Sequence, residues 1–187
     1  MTHPMAGPKK NVVAEAVAQL CPQCAMCCNG VLFKDVELQP DDDGTNLKSL
    51  GLPVTGKRVA KFPQPCAALV GCQCRVYANR PVRCRDFDCA LLRSVAEGKT
   101  TVAGALRVIR DAQKRAEKVR RLLRACGDDA ELLALSLRFQ RTKRRLESSP
   151  FSEGAADAYG ELTLAVHDLN LLLHEKFYPA PGEPAGR

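Results

Sequence analysis

The chain has 187 residues, 28 Lys/Arg against 21 Asp/Glu, 10 Cys and no Trp, with aromatics at 5%. That length suits one domain or a domain with an appendage, and the scarcity of aromatics excludes large ring anchors as the main core material, leaving Leu, Val and Ala. The basic excess is local: residues 93–145 hold 15 Lys/Arg against 6 Asp/Glu, while the remainder is slightly acidic.

Residues 1–8 carry two Pro and a Gly and read as a flexible tail. The apolar run Val12–Ala18 is interrupted by Glu15, too short and too polar for a signal peptide or a membrane span, and Ala18-Gln19-Leu20-Cys21 is a poor lipoprotein site. The expectation is a cytoplasmic protein, not a membrane one. In that compartment thiols stay reduced, so clustered cysteines point to metal or catalysis rather than disulfides. From Lys9 to Leu20, Val13, Ala16 (or Val17) and Leu20 recur at helical spacing and predict a short helix leading into Cys21-Pro22-Gln23-Cys24-Ala25-Met26-Cys27-Cys28. If that helix continues, Cys21, Cys24 and Cys28 share a face and Cys27 lies about 100° away. If it stops at Pro22, the block is a knuckle loop.

Val31–Leu38 reads as a strand and Pro40–Gly44 as a turn whose Asp caps a short helix up to Leu50. Gly51, Pro53, Gly56, Pro63 and Pro65 then mark loop, with at most one more strand at Arg58–Phe62. A second thiol block, Cys66 to Cys89, follows, and Asp86 or Asp88 is placed to cap a helix running to Glu97. From Val102 the apolar residues Ala105, Ile109, Ala112, Ala116, Val119, Leu123 and Cys126 step at 3-4 spacing, predicting a long amphipathic helix. Gly127-Asp128-Asp129 ends it and is placed to cap the next, whose stripe is Leu132, Leu135, Phe139, Thr142 and Leu146. Ser148-Ser149-Pro150 breaks that helix, and Tyr159, Leu162, Val166, Leu169 and Leu173 mark a third. The tail from residue 179 is rich in Pro and Gly. The predicted fold is mainly α: a small irregular, short-β, metal-supported cysteine module over residues 9–97, a C-terminal antiparallel helical bundle over 98–178, and tails at 1–8 and 179–187.

Nine cysteines fall between residues 21 and 89. A thiolate metal site needs about four ligands from segments that approach closely, and Cys-x2-Cys supplies two from one turn. Nine exceed one zinc site. Two tetrahedral sites, a binuclear site or an iron–sulfur cluster all fit the count. Arg75, Arg80, Arg83 and Arg85 interleave with the second block and would offset thiolate charge.

At these residues the chain resembles the YkgJ-type cysteine-cluster proteins, described as zinc- or iron-chelating. Their Cys-x2-Cys-x2-Cys-Cys block stands as Cys21, Cys24, Cys27 and Cys28, their later Pro-Cys as Pro65-Cys66, and their last block as Cys74, Tyr77, Arg80, Pro81, Cys84, Arg85, Phe87 and Cys89. The resemblance covers residues 21–89 and implies metal chelation by Cys21, Cys24, Cys27, Cys28, Cys66, Cys74, Cys84 and Cys89. It implies no reaction, and Cys72 is outside its pattern. Tyr77, Arg80, Pro81, Arg85 and Phe87 are expected to support the ligands rather than bind metal. Zinc, iron or an iron–sulfur cluster remain alternatives for the cofactor, because all-thiolate ligation suits each.

Other signals weigh less. Cys126 continues an apolar stripe and reads as a packing thiol. His167 and His174 share a face but no cysteine is tied to them. The cations of the long helices could line a nucleic-acid backbone, yet no aromatics interleave to stack bases, so a solvated face is the stronger reading. A protein partner at the C-terminal helices is a further expectation. The leading reading is a cysteine-cluster metal-binding protein with no assigned catalytic residue. The alternatives are a metal-dependent enzyme or redox protein, such as a relative of cysteine-cluster lysine methylases, and a zinc-stapled nucleic-acid module.

Overall fold

The computed structural model describes residues 10–148 and 153–179. The expected tail at 1–8, the 179–187 tail beyond Pro179, and the Ser149-Pro150 break lie outside the described residues. The fold is mainly helical, with two short antiparallel strand pairs. Among the described residues no helix is long and apolar enough to cross a membrane.

Helix α1 (Lys10–Cys24) runs through Pro22 and ends two residues later, where one lost backbone hydrogen bond matters least. Val13, Ala16 and Leu20 form its buried face. Ala25 then takes φ 54°, a left-handed conformation that a non-glycine residue rarely adopts. The carbonyl of Ala25 accepts from the N–H groups of Cys28 (2.8 Å) and Asn29 (2.9 Å), which locks a tight turn. The continuous helix through Cys28 and the stop at Pro22 are thus both corrected: the helix carries Cys21 and Cys24, and the turn carries Cys27 and Cys28.

The strand expected at Val31–Leu38 shrinks to β1 (Asp35–Glu37). Val31 and Leu32 are buried in the helical core instead, and the Leu32 N–H donates to the Met26 carbonyl. β1 pairs with β2 (Lys61–Pro63), Val36 facing Phe62, and Lys61 reaches Asp35 at 2.8 Å. The strand expected at Arg58–Phe62 is therefore shorter and shifted. Helix α2 (Gly44–Ser49) is capped by the Asp43 carboxylate, which accepts from the Thr45 and Asn46 N–H groups. A second pair, β3 (Leu69–Val70) and β4 (Gln73–Cys74), forms the hairpin between Cys66 and Cys74. Helix α3 (Val82–Asp86) follows, and α4 (Ala90–Ala96) is capped by Cys89 rather than by an aspartate.

Helix α5 (Val102–Ala125) is the central element. Ala105, Ala112, Ala116, Val119 and Leu123 on its inner face are essentially inaccessible to solvent. Such small residues let α1 and α7 (Glu153–Lys176) approach closely. The Thr101 hydroxyl caps α5 by accepting from the Gly104 N–H at 3.1 Å. Thr101→Ala should cost about 1 kcal/mol, lowering Tm by about 2–4 °C in a thermal melt; an unchanged Tm would refute the cap's contribution.

Helix α6 (Leu135–Glu147) starts later than its apolar stripe suggests. Leu132 lies outside it and is 88% exposed. Neither Asp128 nor Asp129 caps it; Ala134 holds the N-cap position without a side-chain bond. Asp128 binds Arg138 instead, Nε to Oδ1 at 2.7 Å, with both side chains buried.

Two apolar cores result. The larger draws on α1, α4, α5, α6 and α7 and so joins both halves of the chain. The smaller holds Val36, Leu47, Leu52, Val54, Phe62, Ala68 and Val76 around the strands and α2. The end of α7 clasps the cysteine-bearing part: the Ala90 N–H donates to the Phe177 carbonyl (3.0 Å) and the Tyr178 hydroxyl to the Leu32 carbonyl (2.8 Å).

Candidate metal centre

The eight cysteines expected to bind metal come together as two fours. Cys21, Cys24, Cys27 and Cys89 form the first: within it every pair lies near enough for one thiolate to disfavour the other. Cys28, Cys66, Cys74 and Cys84 form the second, again pair by pair. Packing divides six of the eight along the same line. Cys24, Cys27 and Cys89 lie against the larger core, and Cys66, Cys74 and Cys84 against the smaller. The groups adjoin at Cys27 and Cys28: Cys28 also disfavours the Cys27 thiolate, and Cys21 that of Cys28.

Local backbone explains the division. Helix α1 presents Cys21 and Cys24 one turn apart, the Ala25 turn delivers Cys27, and Cys89 stands at the start of α4, whose Leu92 N–H donates to the Cys89 sulfur at 3.4 Å. For the second group, the Cys66 N–H donates to the Cys28 carbonyl at 2.8 Å, drawing two distant segments together. Gly30 allows this approach. Its φ is +77°, and a Cβ there would meet Ala134 at 3.1 Å and Pro65 at 3.2 Å. The β3–β4 hairpin returns Cys74 to Cys66, and α3 carries Cys84.

Burial pushes the Cys24, Cys28 and Cys84 thiols up to about 12 and Cys27 well above its ordinary value. Cys21 is exposed as a residue, but lost hydration and then Cys89 still raise its thiol to about 11. Cys66 and Cys89 are also raised by burial. Backbone N–H groups act the other way: that of Met26 on Cys24, those of Ala68 and Leu69 on Cys66, and those of Leu91 and Leu92 on Cys89. N–H donors aimed at sulfur favour the thiolate, the form that binds metal.

Arg80 lies between the groups. Its charge favours the thiolates of Cys21 in the first and of Cys28 and Cys84 in the second. Its guanidinium sits 3.6 Å above the Tyr77 ring, and Nε donates to the Tyr77 carbonyl. Pro81 accepts from the Cys84 and Arg85 N–H groups, and Phe87 packs edge-on against Phe33 at 5.0 Å. Arg85 faces a polar depression that it shares with Asp41, Asp42 and Asp43, and Arg83 pairs with Glu37 at 3.6 Å.

Two neighbours were not foreseen, and the sequence leaves a third, Cys72, as either an extra ligand or a bystander. Asp88, buried beside Cys89, disfavours the thiolates of Cys21 and Cys89; its place next to Cys89 in sequence was the available signal. Tyr178 is raised by burial and then by Cys27, from 151 residues away in sequence, where no local pattern points to it. Cys72 approaches Cys24 of the first group although it sits on the β3–β4 turn. Cys126 packs at the edge of the larger core, His167 and His174 are exposed, and α7 leaves Leu164 and Leu171 open to solvent.

Among the described residues no three His, Cys, Asp or Glu side chains are already drawn into metal-holding geometry. The two fours are therefore neighbourhoods of free thiols. As a donor set they fit a thiophilic metal: each supplies four sulfurs, and the N–H donors and Arg80 supply charge support. Comparison with protein-family models, with curated proteins and with solved structures returns no match.

Proposed function

We propose that the chain is a metal-binding protein with two separate all-thiolate centres, one held by Cys21, Cys24, Cys27 and Cys89 and the other by Cys28, Cys66, Cys74 and Cys84. The observation that carries this reading is the grouping: each four is mutually coupled pair by pair, and packing separates six of the eight thiols along the same line, with Cys27 and Cys28 adjoining where the two groups meet. Buried core thiols have no reason to gather in fours.

Zinc and iron, alone or as an iron–sulfur cluster, both accept four thiolates. A bound cation would supply the positive charge that turns neutral buried thiols into thiolates, releasing their protons. Four thiolates on a divalent ion carry a net charge of −2, and Arg80, close to both groups, would offset part of it at each. The YkgJ-type resemblance supports chelation, and clustered thiols without disulfides support a cytoplasmic location.

The test is elemental analysis of anaerobically purified protein, paired with its visible spectrum. About two equivalents of zinc and no colour, or iron with sulfide and a coloured spectrum, is the expected outcome. Less than one equivalent of any transition metal, with all ten thiols titrating freely, would refute the proposal.

A further inference from the structure

The outer face of α5 has a use that the cysteine groups do not explain. At about 100° per residue, Arg107, Arg110, Lys114, Lys118 and Arg121 fall within an arc of about 80°, opposite the buried stripe. All five are exposed. At 1.5 Å per residue they form a straight row about 21 Å long.

A helix face that is merely solvated intersperses opposite charges at i,i+4, and like charges at that spacing oppose helix formation. This one has no carboxylate within the row. The two acidic residues of α5 stand at its margins and are engaged elsewhere: Asp111 binds Arg115 at 3.1 Å, and Glu117 binds Arg124 at 2.8 Å and Arg120 at 3.6 Å. Lys118 reaches Glu161 of α7 at 3.4 Å. Among the described residues, the other four cations have no ion pair. Lys114, Glu117, Lys118 and Arg121 also line a shallow depression.

We propose that this row is a binding ridge for the phosphodiester backbone of a nucleic-acid duplex. A duplex carries about one negative charge per 1.7 Å of axis, so a row of this length faces more than enough phosphates to neutralise five cations. The ridge is preorganised, because the opposite face of α5 is packed in the core and little order is lost on binding. No aromatic stands in the row, which removes the stacking platform that single strands require. An anionic membrane is the weaker partner: the large apolar residues of α5 that an interfacial helix would insert are buried in the core or half-buried against it.

The experiment titrates full-length, metal-loaded protein with labelled mixed-sequence DNA and RNA duplexes of about 20 base pairs at several salt concentrations. Five phosphate contacts predict a log–log salt slope of about −4.5. The triple variant Arg107→Gln, Lys114→Gln, Arg121→Gln should flatten the slope by about 2.7 and weaken binding on the order of 100-fold at 0.1 M salt. The control triple Lys48→Gln, Lys57→Gln, Arg58→Gln removes the same charge from α2 and the loop that leads to β2 and should leave binding within about twofold. Metal content and circular dichroism of both triples should match the parent, which separates this test from that of the metal centres. Binding to either duplex with selective loss in the first triple supports the ridge. Equal loss in both triples, no binding to either duplex, or binding to phosphatidylserine vesicles in place of duplex overturns it.

Discussion

Cys84→Ser is expected to remove one metal equivalent and to melt the smaller core, while Cys27→Ser removes the other equivalent and leaves that core folded. The asymmetry follows from what each group stands on. The second group is embedded in a core of seven buried apolar residues and strands of two or three residues. Strand pairs that short are marginal alone, and a thiolate zinc site is worth about 10–16 kcal/mol of apparent folding free energy. Loss of the proposed site would remove the largest contribution available there. The first group stands on α1 and α4, which the larger core holds through contacts with α5. Hydrogen exchange read by mass spectrometry should show protection lost across residues 35–87 in Cys84→Ser and kept there in Cys27→Ser. Metal loss that always affects both equivalents together would show a single shared centre and would sink the division into two.

Arg138→Met should destabilise the fold by about 3–5 kcal/mol, a fall in Tm of about 6–20 °C. Arg138 and Asp128 are 2% and 3% exposed as side chains, and their contact at 2.7 Å is joined by a second bond from Nη2 to the Asp128 carbonyl at 3.1 Å. Removal of the guanidinium leaves a buried carboxylate without its cation, and that uncompensated charge is the source of the cost. The double variant Arg138→Met, Asp128→Leu removes both charges and should recover most of the loss. Urea denaturation of the parent, single and double variants measures the difference. A single variant as stable as the parent would mean that the pair contributes nothing net.

The parts of the fold legible in the sequence were those with a long repeating signal. The 3-4 stepping from Val102 to Leu123 placed α5 because a buried stripe on one helix needs no knowledge of its partners. The segment Val31–Leu38 misled because β-branched and aromatic residues suit a strand and a packed loop equally, and Val31 and Leu32 went to the helical core. Asp128 resembled a helix cap until its carboxylate found Arg138, ten residues on and invisible to local pattern. The eight thiols were legible as a set from their spacing. Their division was not, since it turns on Ala25 at φ 54° and on the Cys66–Cys28 backbone bond, and alanine carries no mark of a left-handed turn. The row on α5 was legible as charge, but that four of its five cations have no ion pair among the described residues required knowing that Asp111 and Glu117 were engaged with other arginines.

The clasp from the end of α7 bears on the order in which the molecule is made. Ala90 and Leu32 receive their partners from Phe177 and Tyr178, residues that a ribosome adds long after Cys89. At about 5–20 residues per second, all eight thiols are made roughly 4–18 s before Phe177 and Tyr178 exist to close this clasp. For that interval the nascent cysteine segment is open to whatever the cell offers it, metal donor or oxidant. If the first group binds metal as proposed, loading would be easiest at birth, before Tyr178 comes to lie beside Cys27.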